Sequence, residues 1–170
     1  PEAQLDRFMG KVLVSFSSLD DLRRILDRTT DKGSVTLNPI IDGAKVIEYQ
    51  QLVREGVAAP HVKDYASRII WATHPESELA PERVKKYIRY GASPRGAQAL
   101  ILAAKVSSLV DGRFNASFDD IRRAAHAALR HRILLNFEGE AEGLKVEQII
   151  DEILKVITPE AKAAEPAAQS

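Results

Sequence analysis

The stretch that decides the fold is YGASPRGAQALILAAKV, residues 90–106. Ser93 followed by Pro94 is a helix opening, with Ser as the N-cap and Pro in the first helical position. Arg95 then falls in the first turn, where N–H groups are unpaired and the macrodipole is positive. A cation is out of place there unless an anion joins it. Two readings remain open. Arg95 is a surface arginine paired with a nearby carboxylate, or an external anion completes a phosphate-binding helix N-terminus. Gly91 and Gly96 would let a ligand or another backbone approach closely.

Outward from that stretch, the downstream chain reads as helices. Val62, Tyr65, Ala66, Ile69, Ile70 and Thr73 keep helical spacing up to Pro75, and Glu82 to Arg89 forms a shorter helix. The helix from Pro94 to about Asp111 is expected to bury Ala99, Leu102, Ala103, Val106 and Leu109 or Val110, with its alanines in close helix contact. Ser117-Phe118-Asp119-Asp120 is a capping box opening a helix to about Leu135, with Ile121, Ala124, Ala125, Ala128, Leu129 and Ile133 inward. NFEGEAEG breaks the pattern. Val146, Ile149, Ile150, Ile153 and Ile157 then define a last helix.

Upstream, residues 2–8 read as a short helix or turn and KVLVSF (11–16) as the only convincing strand. A second capping box at Ser18-Leu19-Asp20-Asp21 starts a helix to about Arg28 whose apolar face is Leu19, Leu22, Ile25 and Leu26. Residues 29–36 are a polar loop. Residues 42–54 read as a helix with Val46, Ile47 and Val53 buried. A single strand cannot form a sheet. The first residues therefore read as the end of a longer α/β unit, and a start without Met points to a piece of a longer protein. The tail, 159–170, has no large apolar residue and is expected to be disordered.

The 170 residues carry 24 Lys+Arg and 24 Asp+Glu, so the formal charge is zero and no electrostatic search for nucleic acid or membrane is implied. There is no cysteine, which excludes disulfides and thiolate metal sites and points to a reducing, cytoplasmic setting. No apolar run approaches the roughly 20 residues of a membrane span, and no signal peptide is evident. His61, His74, His126 and His131 lack metal-ligand spacing, and Glu138, Glu140 and Glu142 lack an EF-hand register. Metal binding is not expected. The basic run Arg122, Arg123, His126, Arg130, His131 and Arg132 reads as a solvated face rather than a nucleic-acid patch, and Phe114 and Phe118 read as core. Arg7, in Asp6-Arg7-Phe8, reads by itself as paired with Glu2 or Asp6.

Taken together, three motifs resemble one family. PEAQLDRF before a short apolar strand is similar to the end of the ATPase core in MoxR-type AAA+ proteins. YGASPRG before an Ala-rich helix looks like their sensor-2 motif, and LRHRILLNFEGEAEG with IIDEIL resembles the close of their helical lid. The resemblance runs from Pro1 to about Ile157. It implies a mainly α chain, a helical AAA+ lid bundle preceded by the last strand and helix of a truncated α/β ATPase core. The implied divisions are 1–32 (end of the core), 33–58 (linker and pre-lid helix), 59–158 (lid) and 159–170 (tail).

By the same resemblance Arg7 matches the arginine finger, acting in trans, and Arg95 matches the sensor-2 arginine, with Ser93, Pro94 and Gly96 beside it at the nucleotide. The implied ligands are ATP and Mg²⁺, the metal held mainly by core motifs that are not in this sequence. No GxxxxGK[ST] loop or other self-contained catalytic motif is present, so this chain alone is not expected to hydrolyse ATP. The implied assembly is a homo-oligomer, a hexameric ring, with chaperone-like or maturation roles and von Willebrand factor A domain proteins as partners. No nucleic acid and no membrane span are implied. The rival expectation is a helical adaptor domain without a nucleotide role.

Overall fold

The computed structural model describes residues 2–30 and 36–159. The disordered tail expected at 159–170 lies outside these from residue 160 on, as does most of the loop expected at 29–36. The described chain divides into two units. One combines the residues up to Lys11 with those from Leu52 onward, and the other is Val12–Gln51.

The first unit is a helical bundle. Helix α1 is Glu2–Leu5, and the downstream helices are α4 (Pro60–Trp71), α5 (Glu82–Tyr87), α6 (Pro94–Val110), α7 (Phe118–Leu129), α8 (Phe137–Ala141) and α9 (Val146–Val156). The expected signals place most of them. In α4 Pro60 occupies the first turn, and Val62, Tyr65, Ala66, Ile69 and Ile70 are buried on one face. In α7 both halves of the Ser117–Asp120 capping box are made, and the inward set from Ile121 to Leu129 is buried as the spacing required. Ile149, Ile150, Ile153 and Leu154 seat α9 on the same core. Phe118 is half-buried, its ring edge-on to Tyr65 at 5.2 Å, whereas Phe114 is exposed rather than core.

Helix α6 corrects the expected stripe. Gly96, Ala99, Leu100, Ala104 and Ser108 are buried, while Leu102, Val106 and Val110 are exposed. α7 is its most extensive partner. Small residues on the buried face let the two helices approach closely, and that contact outweighed the pull of the larger apolar side chains. Gly112, at φ 72°, ends the helix: its N–H and that of Arg113 close back on Leu109 and Ser108 carbonyls.

The helix-only reading beyond residue 60 also misses a pair of short strands. β1 (Ile88–Tyr90) and β2 (Leu134–Leu135) run antiparallel, with Ile88 opposite Leu135 and Tyr90 opposite Leu134. Two to three residues are too few to show a period of two. α7 consequently stops at Leu129 instead of about Leu135, and NFEGEAEG, expected only to break the pattern, contains α8. A parallel bridge joins Val57 to Asn115, tying the approaches to α4 and α7 together.

The second unit holds α2 (Leu19–Thr30) and most of α3 (Gly43–Glu55). Ser18 caps α2, its hydroxyl accepting from Asp21 N–H at 3.1 Å. The strand expected at 11–16 does not form among the described residues, and Val12, Val14 and Phe16 are 79%, 88% and 89% exposed. A strand needs a neighbouring strand for its N–H and C=O groups, and among the described residues this segment has none, with only Lys11 N–H bonded, to the Ala127 carbonyl. Burial of Val46, Ile47 and Val53 fails as well, because α3 buries no residue, and the apolar face of α2 is equally exposed.

Candidate functional site

Arg95 lies in the first turn of α6 and is 53% exposed. Its anion is an internal one: Asp6, from the turn after α1. Ser93, the N-cap, accepts from Arg95 N–H at 3.2 Å and donates its hydroxyl toward both Asp6 oxygens at 2.9 Å. Arg95 Nη1 stands 3.4 Å from Asp6 Oδ2. A carboxylate thus occupies the positive end of the helix, beside the guanidinium that the first turn left without support.

The deeper partner of Asp6 is Arg132, whose side chain is only 2% exposed. Its Nε donates to Asp6 Oδ1 at 3.1 Å, and its Nη atoms donate to the carbonyls of Asp6 (3.0 Å), Phe8 (2.6 Å) and Met9 (3.2 Å), and to that of Ala128. His131 Nε2 donates to the Phe8 carbonyl at 3.0 Å, leaving Nδ1 buried without a partner among the described residues. Lys11 N–H adds a bond to the Ala127 carbonyl at 2.8 Å. Of the last carbonyls of α7, that of Ala127 is satisfied by the docked segment, and those of His126, Ala128 and Leu129 by Arg130, Arg132 and Ile133 just beyond the helix.

Burial pushes the Asp6 carboxyl up, but the Ser93 hydroxyl and the Arg132 and Arg95 guanidiniums outweigh it, and its pKa lies below the ordinary carboxylate value. Burial lowers the Arg132 pKa, with Asp6 opposing it. Burial likewise lowers the His131 pKa, favouring neutral imidazole; the Phe8 carbonyl and Asp6 oppose this, and Arg132 and Lys11 reinforce it.

Arg7 follows Asp6 and is exposed. Of the two carboxylates expected to pair with it, Asp6 is committed to Arg132 and Arg95, and the Glu2 side chain lies outside what the structure describes. Arg7, Arg95 and Arg132 line one cavity of about 220 Å³ together with Asp6 and Gln98. Pro94 is exposed at the mouth of α6, whereas Gly96 is buried: a Cβ there would meet Ile70 Cδ1 at 3.0 Å and Leu129 Cδ2 at 3.3 Å. Gly91 admits another backbone, as its α-carbon faces the Thr73 carbonyl. The basic run is not the uniform solvated face expected. His131 and Arg132 are buried, and Arg122 donates to Tyr65 Oη (3.0 Å) and to the Leu154 carbonyl (2.8 Å). The one signal that could have revealed Arg132 is its place between Leu129 and Ile133, where the chain turns apolar.

Among the described residues no group of three or more His, Cys, Asp or Glu side chains could hold a metal ion, and no helix is long and apolar enough to cross a membrane.

Residues 80–153 match the AAA lid domain family. The chain is 29% identical over 160 residues to the chaperone MoxR1 of Mycobacterium tuberculosis, covering 92% of this chain and 41% of that protein. It is 32% identical over 160 residues to the Bacillus subtilis protein YeaC, covering 92% and 47%. A crystal structure described as that of an ATPase from Cytophaga hutchinsonii superposes with a TM-score of 0.82 at 31% identity, covering 93% of this chain and 48% of that one. The chain therefore spans less than half the length of the relatives it matches.

Proposed function

We propose, for a chain that belongs to the MoxR-type AAA+ ATPases, that it contributes the lid and two phosphate-directed arginines to a cytoplasmic ATPase working as a ring. The observation that carries this reading is the oxyanion site at the start of α6, where Ser93 and Arg95 already hold a carboxylate. A γ-phosphate presents the same kind of oxygen with more charge, and the guanidinium and the free N–H groups suit it.

In this reading Arg95 binds the γ-phosphate from the lid, with Ser93 and Pro94 fixing the helix start and Gly96 letting α6 sit close to the core behind it. Arg7 reaches the nucleotide of a neighbouring subunit. ATP supplies the phosphoryl group. Mg²⁺ would be held mainly by carboxylates of the nucleotide-binding core. Preorganised cations stabilise the charge that spreads over the phosphoryl oxygens during transfer, and a finger in trans contributes on the order of 10³–10⁵ in rate. Because Arg95 rides on the lid, nucleotide would bias lid position, and the ring would couple that motion to remodelling of partner proteins such as those with von Willebrand factor A domains.

Arg95→Ala in the complete protein is expected to lower steady-state ATP turnover by about tenfold or more with the helical bundle still folded; unchanged turnover rules the role out. Arg7→Ala is expected to abolish hydrolysis in uniform rings. Mixing it with a subunit disabled in its phosphate-binding loop should restore activity at mixed interfaces, and no restoration in confirmed mixed rings argues against action in trans. The adaptor reading draws on the Arg95–Asp6 pair, which satisfies the arginine without any ligand. Undiminished turnover in Arg95→Ala would favour it.

A further inference from the structure

The turn that carries Arg7 is weakly held by its own residues. Leu5, Phe8 and Met9 are exposed, and its internal bonds are Arg7 N–H to the Gln4 carbonyl and Phe8 N–H to the Leu5 carbonyl, at 3.2 and 3.1 Å. Most of its anchorage comes from Arg132, with His131 on the Phe8 carbonyl and Ser93 and Arg95 on the Asp6 carboxylate adding to it. This one buried guanidinium takes the carbonyls on either side of Arg7, those of Asp6 and Phe8, then that of Met9, and finally the Asp6 carboxylate. An arginine buried to 2% with this many acceptors is not a solvent-facing charge. A planar fork with five donors can meet such a set, and an ammonium cannot.

We propose that Arg132 is the positioning residue for Arg7: it clamps the main chain on both sides of Arg7 to the end of α7, and so fixes where the Arg7 guanidinium points. The proposal rests on the reading of Arg7 as a finger acting in trans. Arg132 itself does not touch nucleotide in this role. A cation that must meet a phosphoryl group on another subunit gains from a rigid base, since a displacement of about 1 Å can cost about a hundredfold in rate. Through Asp6 the same clamp reaches Ser93 and Arg95, so the two phosphate-directed arginines share one support.

The test separates the finger from the hydrolysing site. In the complete protein, Arg7→Ala subunits, which keep Arg132 and an intact phosphate-binding loop, are mixed with subunits disabled in that loop. The latter carry either native Arg132 or Arg132→Lys. ATP turnover, the KM for ATP, mixed-ring assembly and melting are measured. With Arg132→Lys in the finger-donating subunit, restored kcat is expected to fall about tenfold to a hundredfold with KM within about twofold and assembly intact. Undiminished restoration in confirmed mixed rings overturns the proposal. If Arg132→Lys does not assemble, Asp6→Asn loosens the clamp from its other side. Restoration by that donor should then fall severalfold, and full restoration is equally fatal. Failure of the control mixture with native Arg132 instead removes the finger reading of Arg7, and the proposal with it.

Discussion

Asp6 and Asp120 are carboxylates held by arginines in two different corners of the bundle. Asp120 is fully buried and accepts from Arg113 through both oxygens, at 3.0 and 2.8 Å, and from Ser117 N–H at 2.8 Å. The Arg113 hydrogen bonds dominate over the opposing burial, Ser117 adds to them, and the carboxyl is pulled down to about 2 from an ordinary 3.8. Between those values the unfolded chain binds more protons than the folded one, so the stability present above pH 3.8 is lost as pH falls toward 2. His131 acts higher: its folded pKa lies below the ordinary 6.5, so stability present above pH 6.5 declines as pH falls below that value. Urea titrations across this range should show both losses, and Asp120→Ala should reduce the more acidic one, to which Asp6 also contributes. At neutral pH that substitution is expected to cost about 2–4 kcal/mol, because Arg113 and the Ser117 N–H lose their partner. A cost below about 0.5 kcal/mol would mean that Asp120 does not hold the start of α7.

At the scale of elements, the passage from β1 to α6 is fixed by a close approach. A Cβ on Gly91 would stand 2.7 Å from both the Thr73 carbonyl and its Oγ1, and 2.8 Å from His74 Cγ. Thr73 cannot yield, since its hydroxyl donates to the Ile70 carbonyl at 2.6 Å and accepts from Ala92 N–H at 2.8 Å. Gly91→Ala is therefore expected to cost about 1–3 kcal/mol, read as a lower denaturation midpoint with an unchanged slope. The close approach was legible at Gly91 in YGASPRG, but that Thr73 is the backbone approaching it was not. The same holds for α6, where Ser93-Pro94 marks the start plainly while the buried face depends on α7. The strands β1 and β2 left no pattern at all, because their pairing is long-range and each is too short for alternation to register.

Across the whole molecule the two units differ in kind. The unit from Leu52 onward has a continuous core running from Ala58 to Ile157. In Val12–Gln51 neither α2 nor the described part of α3 buries a residue, so apolar burial contributes little to holding either helix. Native-state hydrogen exchange should accordingly find the amides of α2 and α3 opening at much lower free energy than those of α4, α6, α7 and α9. Equal protection in both sets would show that Val12–Gln51 draws on contacts beyond its own residues.

The sequence by itself determined the helical character of the bundle, the starts of α2, α6 and α7, the inward residues of α4, α7 and α9, and the first-turn arginine that asked for an anion. These follow from local rules, since caps, prolines and a 3.6-residue period act within one helix. Only the tertiary structure decided which face of α6 is buried, that residues 11–16 form no strand, and that Asp6 answers Arg95. It also decided that Arg132, which reads as one more cation on a basic helix, is buried beneath the turn bearing Arg7. These depend on residues about 90 to 125 positions apart meeting in space, and hydrogen bonds between such distant groups have no periodicity to announce them.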